Sequence, residues 1–97
     1  GSLQSLGSIT VDDGAVAALK QGRSLLPAGI SQIEGSFQRG DAVTIITTDG
    51  KELGRGLIAY SSEDARKIMG HKTGEIENLL GYLGRDELIH RDDLVIF

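Results

Sequence analysis

The chain has 97 residues, of which 39% are apolar and 25% charged; it has no cysteine and a formal net charge of −4. These values fit one small globular domain whose core holds without disulfides or thiolate-bound metal. No apolar run approaches the roughly 18–20 residues of a membrane span, and the acidic balance weighs against a dedicated nucleic-acid binder, which usually carries a basic excess to neutralise phosphates.

Residues 1–7 read as a tag or linker remnant, with Gly1-Ser2 a cloning scar, and residues 8–97 as the domain. No basic-then-apolar signal segment opens the chain, so a cytoplasmic location is the default expectation. Ile9-Thr10-Val11 is a short β-prone start. Asp12 or Asp13 can cap a helix from about Gly14 to Gln21, and Gly22 suits its stop. Residues 24–33 read as a strand broken at Pro27-Ala28-Gly29, because proline lacks the N–H that a central ladder needs. Residues 41–47 alternate, with Val43 and Ile45 on one face and Thr44 and Ile46 on the other. Thr48-Asp49-Gly50 predicts a hairpin turn, and residues 51–60 the returning strand, with Gly54 and Gly56 marking a bulge or a close backbone approach.

Ser61 and Asp64 have capping-box spacing ahead of a short helix that ends at Met69-Gly70. Thr73 can cap a second short helix with Ile76, Leu79 and Leu80 as its apolar stripe, stopped by Gly81. Residues 87–97 close the chain as a strand. The predicted class is α+β, mainly β, with many short strands and bulging glycines pointing to a partly closed barrel.

Chemistry-bearing motifs are sparse. Gly70-His71-Lys72-Thr73 lacks phosphate-loop spacing, since Ala65 stands where the first glycine belongs, and a helix–helix turn explains it. His71 and His90 are the only histidines and have no partner ligands at metal-site spacing. Ser61 and Ser62 have no local base or nucleophile-elbow glycines, and capping accounts for them. Arg39-Gly40-Asp41 reads as a turn entering a strand rather than an adhesion motif, and Gly54-Arg55-Gly56 as a strand bulge. No catalytic, cofactor-binding or metal-binding residue is assigned.

Five segments carry a family resemblance: ITVDDGAVAAL (9–19), GRSLLPAGI (22–30), GSFQRGDAV (35–43), GRGLIAYSSEDARKIMG (54–70) and EIENLLGYLGRDELIHRDDLV (75–95). Together they resemble the PUA domain, and within that family they are most similar to the domain that closes bacterial glutamate 5-kinases. The resemblance implies a pseudo-barrel of mixed strands flanked by short helices. It also implies a non-catalytic, regulatory role beside an amino-acid-kinase domain of the same chain. ATP, magnesium and L-glutamate would be bound in that kinase domain, which makes L-glutamyl 5-phosphate for proline synthesis; no cofactor is expected in the present residues.

RNA binding is the alternative that the same resemblance raises. RNA-binding PUA domains use the first helix, the glycine loop after it and the last strand, and the matching positions are Lys20, Gly22, Arg23, Ser24, His90 and Arg91. These hold three formal positive charges, with Asp12, Asp13, Asp92 and Asp93 nearby in sequence, so the patch is thin for phosphates. Only four aromatic residues exist for base stacking. A third reading is a homo-oligomer formed through an exposed β edge.

Overall fold

The computed structural model describes residues 4–97, so the scar at Gly1-Ser2 lies outside the described residues. Five strands and three helices follow in the order β1 (Gly7–Val11), α1 (Asp13–Lys20), β2 (Ile30–Gly35), β3 (Ala42–Thr47), β4 (Glu52–Leu57), α2 (Ser62–Ile68), α3 (Ile76–Leu80) and β5 (Leu94–Ile96). The strands form one mixed sheet in the order β2-β1-β3-β4-β5. β1 and β3 are parallel, and every other pairing is antiparallel. The fold is therefore α+β and mainly β, as the strand-rich pattern predicts.

The register sorts the side chains into two faces. Ile33, Ile9, Ile45, Gly54 and Ile96 lie in one row across all five strands. Ile9 and Ile45 in that row have no solvent exposure, and this inner face packs with Leu19, Phe37, Ala65, Ile68 and Ile76 into a single core. Because successive strand residues point to opposite sides, the neighbouring row of Glu34, Ser8, Thr44, Arg55 and Val95 faces outward.

Two segments outside the strands close the sheet. Leu25 and Ile89 form an isolated antiparallel bridge. Each precedes an edge strand, β2 and β5 respectively, so the bridge joins the two margins of the sheet into a pseudo-barrel.

Three predicted strands are shorter than the apolar pattern suggests. The 24–33 run is a strand only from Ile30, because Pro27–Gly29 is a 3₁₀ turn with buried Pro27 at its start, where a missing N–H costs nothing. β4 ends at Leu57; Ile58 and Tyr60 are core residues of the connection beyond it. In the last run, Arg91–Asp93 is a 3₁₀ turn and only Leu94–Ile96 pairs as a strand.

The helix signals are also refined. Asp12 caps α1, its carboxylate accepting the Ala15 N–H at 2.7 Å. Ser61 caps α2 by accepting the Asp64 N–H at 3.3 Å, but the Asp64 carboxylate turns away to Tyr82, so the capping box is half formed. Thr73 lies inside a 3₁₀ turn rather than at a cap, and the Glu75 carboxylate accepts the Lys72 N–H instead. Leu79 is exposed, leaving Ile76 and Leu80 as the residues that pack inward from α3. Residues 5–7, read from sequence as linker, are bonded into the sheet. The Leu6 N–H donates to the Ala42 carbonyl at 2.9 Å, and the Thr44 hydroxyl donates to Ser5 Oγ at 2.7 Å.

Candidate functional site

The six surface positions expected from the sequence come from two distant stretches that the Leu25–Ile89 bridge brings together. Lys20 ends α1 and is exposed. Gly22 follows with a φ of +80°, a conformation that L side chains rarely adopt and that lets the chain leave the helix sharply. The Arg23 N–H folds back onto the Ala18 carbonyl at 3.1 Å. Ser24 then meets the second stretch directly, its Oγ accepting the Arg91 N–H at 2.8 Å. The ring of His90 is used locally. Its Nδ1 lies 3.1 Å from the Asp92 backbone N and 3.5 Å from the Asp92 carboxylate.

Beside these loops lies an open cleft of about 430 Å³. Ala15, Ala18, Leu26 and Ala28 supply its apolar wall, and Asp12, Arg23, Ser24 and Glu87 its polar rim. The 3₁₀ turn approaches α1 closely here: a Cβ on Gly29 would lie 2.6 Å from the Ala15 Cβ. The cleft takes Arg23 and Ser24 from the predicted set; Lys20, Gly22, His90 and Arg91 do not line it. Glu87 and the alanine wall were not singled out from sequence. Nothing local marks Glu87, whose place depends on the long-range Leu25–Ile89 pairing.

The charge balance at this surface is unfavourable for phosphates. Lys20, Arg23 and Arg91 share it with the carboxylates of Asp12, Asp92, Asp93 and Glu87. Electrostatic affinity for nucleic acid grows with the number of phosphates neutralised, and interleaved carboxylates reduce it.

A second cleft, of about 570 Å³, lies between residues 38–39, 59–64 and 82–85. Tyr82 donates its hydroxyl to Asp64 Oδ2 at 2.6 Å. That bond favours the protonated phenol beside an anion, and the Tyr82 pKa is pushed up to about 12. Burial raises the Tyr60 pKa as well; its hydroxyl donates to the Arg85 carbonyl. Both tyrosines therefore stay neutral at physiological pH and act as hydrogen-bond donors. Among the described residues, no group of three or more His, Cys, Asp or Glu side chains is placed to hold a metal ion.

The remaining sequence motifs fall in turns and strands. Arg39-Gly40-Asp41 is a tight turn in which the Asp41 carboxylate accepts the Gln38 N–H at 2.7 Å. His71 and Glu75 approach to 3.3 Å in the turn between α2 and α3. Gly54-Arg55-Gly56 lies within β4, opposite β5.

A mixed five-stranded sheet, closed by a bridge and flanked by three short helices, defines a small α+β pseudo-barrel with a helix–loop surface at one end. The sequence pattern of the PUA domain matches residues 7–80, and the chain belongs to that family. It is 60% identical over 96 residues to a glutamate 5-kinase of Paramagnetospirillum magneticum, covering 99% of this chain and 26% of the relative. It is 57% identical to a glutamate 5-kinase of Brucella anthropi, covering 99% of this chain and 25% of the relative. The chain thus spans about a quarter of the length of the curated relatives it matches. Among solved structures, a PUA domain from Aeropyrum pernix K1 in a tartrate complex superposes with a TM-score of 0.66 at 25% identity. That alignment covers 89% of this chain and 41% of the other.

Proposed function

We propose that this chain is the non-catalytic PUA domain of a glutamate 5-kinase and tunes the kinase domain of the same polypeptide. The observation that carries this reading is the 60% identity along nearly the whole chain to one quarter of a glutamate 5-kinase. Such similarity over 99% of the present residues leaves the catalytic machinery to the rest of the relative. In the parent enzyme, ATP, magnesium and L-glutamate would bind the kinase domain, and the product would be L-glutamyl 5-phosphate. Among the described residues no helix is long and apolar enough to cross a membrane, which accords with a cytoplasmic biosynthetic enzyme.

The deciding experiment compares the full-length enzyme with one lacking this domain. Altered kcat, KM, proline inhibition or assembly supports a regulatory role; unchanged values in all four would refute it.

RNA binding is the second reading, favoured by the Ser24–Arg91 contact, which sets the loop after α1 beside the last strand. Titration of the domain with structured RNA at low salt tests it, since electrostatic affinity is strongest there. Absence of binding under those conditions removes it.

A further inference from the structure

We infer that the outer face of the sheet is the surface on which this domain docks against the kinase domain of its own chain. The inference rests on the glutamate 5-kinase reading above and adds to it where the two domains meet.

One face of the sheet lies on the core; the other leaves its larger apolar side chains exposed around the buried Thr44 and Ala42. Ile9, Ile33 and Ile45 point into the core with α1, α2 and α3 around it. On the opposite face, pairing sets Ser8, Thr44, Arg55 and Val95 in one row, and Ala42 opposite Leu57 in the next. Phe97 lies two residues past Val95, on the same side by strand alternation. Leu57, Val95 and Phe97 are 39%, 65% and 68% exposed. Leu6, two residues before Ser8, is 47% exposed on the same side. Among the described residues, half of the large apolar side chains left exposed thus lie on one sheet face, with Val95 and Leu57 beside Arg55. Clustered apolar surface of this kind marks an interaction site, whereas scattered exposed residues do not.

The identity of the occupant follows from the path of the chain. Residues 5 and 6 run onto this same face: Thr44 donates its hydroxyl to Ser5, and Leu6 pairs with Ala42. A shallow depression there is lined by Ser5, Leu6, Ser8, Thr44 and Ile46. Under the proposed reading the kinase domain precedes these residues, and the relatives are about four times longer than the aligned segment. The preceding domain is therefore tethered at the outer face, at high effective concentration and with a hydrogen-bonded entry that limits its swing. Interfaces between domains of one chain are mixed polar and apolar surfaces, and Arg55 and Glu52 among the apolar residues match that character.

Hydroxyl-radical footprinting of the full-length enzyme tests the inference, with rates corrected for intrinsic side-chain reactivity. Leu83, 80% exposed, and Tyr82 line the second cleft instead and serve as references inside the same molecule. The expected result is that Leu57, Val95 and Phe97 are oxidised several-fold more slowly than Leu83 and Tyr82, at every protein concentration. Val95→Asp should then release Leu57 from protection while leaving Leu83 unchanged. Equal oxidation of the two sets overturns the inference. Protection that vanishes on dilution also overturns it, because it would assign the face to a second copy. The outcome is separable from the regulatory reading, which is judged by the kinetics of the truncated enzyme: the face can be open while deletion alters kinetics, or covered while deletion is silent.

Discussion

Leu25 and Ile89 pair backbone to backbone, the Leu25 N–H donating to the Ile89 carbonyl at 2.9 Å and the Leu88 N–H to the Leu25 carbonyl at 2.8 Å. The Leu25 side chain is 1% exposed and that of Ile89 fully buried. One contact thus closes the sheet and sets the α1 loop beside the final turn. Leu25→Ala leaves a cavity at this seam, and large-to-small core changes of this type cost about 2–5 kcal/mol. Urea unfolding should show that loss in the midpoint. Leu83→Ala, at an 80% exposed position, should stay within about 0.5 kcal/mol of the parent. Equal effects at the two sites would mean that the seam does not support the fold.

Much of the scaffold was legible locally. Asp12 and Ser61 sit at helix starts where their side-chain oxygens can accept first-turn N–H groups, and both do so. The Asp49-Gly50 turn carries its own conformational signal, and β3 and β4 pair around it. The seam was not legible, because Leu25 and Ile89 read only as parts of two longer strands. The break at Pro27-Ala28-Gly29 is marked by its proline and glycine, and a 3₁₀ turn stands there, but nothing local says that Leu25 on its near side pairs with Ile89. The candidate surface shares this limit. Ser24 and Arg91 touch, yet neither has a local feature naming the other, and it was the family resemblance that placed both in one set. Glu87 lies within a segment that carries the resemblance, but the resemblance assigned it no role.

Gly54 faces the backbone of β5 in the innermost row of the sheet. A Cβ there would overlap the Val95 carbonyl oxygen and lie 3.1 Å from the Ile96 Cα. Backbone atoms in a paired strand cannot rotate away as a flexible side chain can. Gly54→Ala should therefore lift β5 from β4 while leaving the β1–β3 pairing in place. Amide hydrogen exchange distinguishes the outcomes: exchange should quicken at Leu94–Ile96 and stay slow at Ile9 and Ile45. Unchanged protection of β5 would show that the strand accommodates the methyl group.

Ser61 holds the start of α2 alone, since Asp64 returns no bond to it. Loss of a serine N-cap typically costs about 1 kcal/mol. Ser61→Ala should lower stability by about that amount, and Ser61→Asp should restore most of it, because aspartate accepts the same N–H and suits the positive end of the helix. Thermal unfolding of the three proteins checks this. A fully stable Ser61→Ala would mean that the packing of Ala65 and Ile68 fixes the helix without its cap.

Tyr82 and Asp64 give this domain an alkaline pH response. The Tyr82 pKa rises from its ordinary 10.0 to about 12, chiefly because its hydroxyl donates to Asp64, with burial and the nearby negative charge adding to the rise. The folded state thus holds the phenolic proton more tightly than the unfolded chain does. Its contribution to stability is complete below pH 10.0 and is lost as pH climbs from there through about 12. Tyr60, raised by burial, acts in the same direction. Ultraviolet titration of the folded domain should show Tyr82 ionising near pH 12, and Asp64→Ala should bring that step back toward 10.0. In unfolding measured across the alkaline range, Tyr82→Phe should lose less stability between these limits than the parent, with Tyr60 supplying the remainder. A Tyr82 ionisation unmoved by Asp64→Ala would show that the carboxylate does not hold the proton.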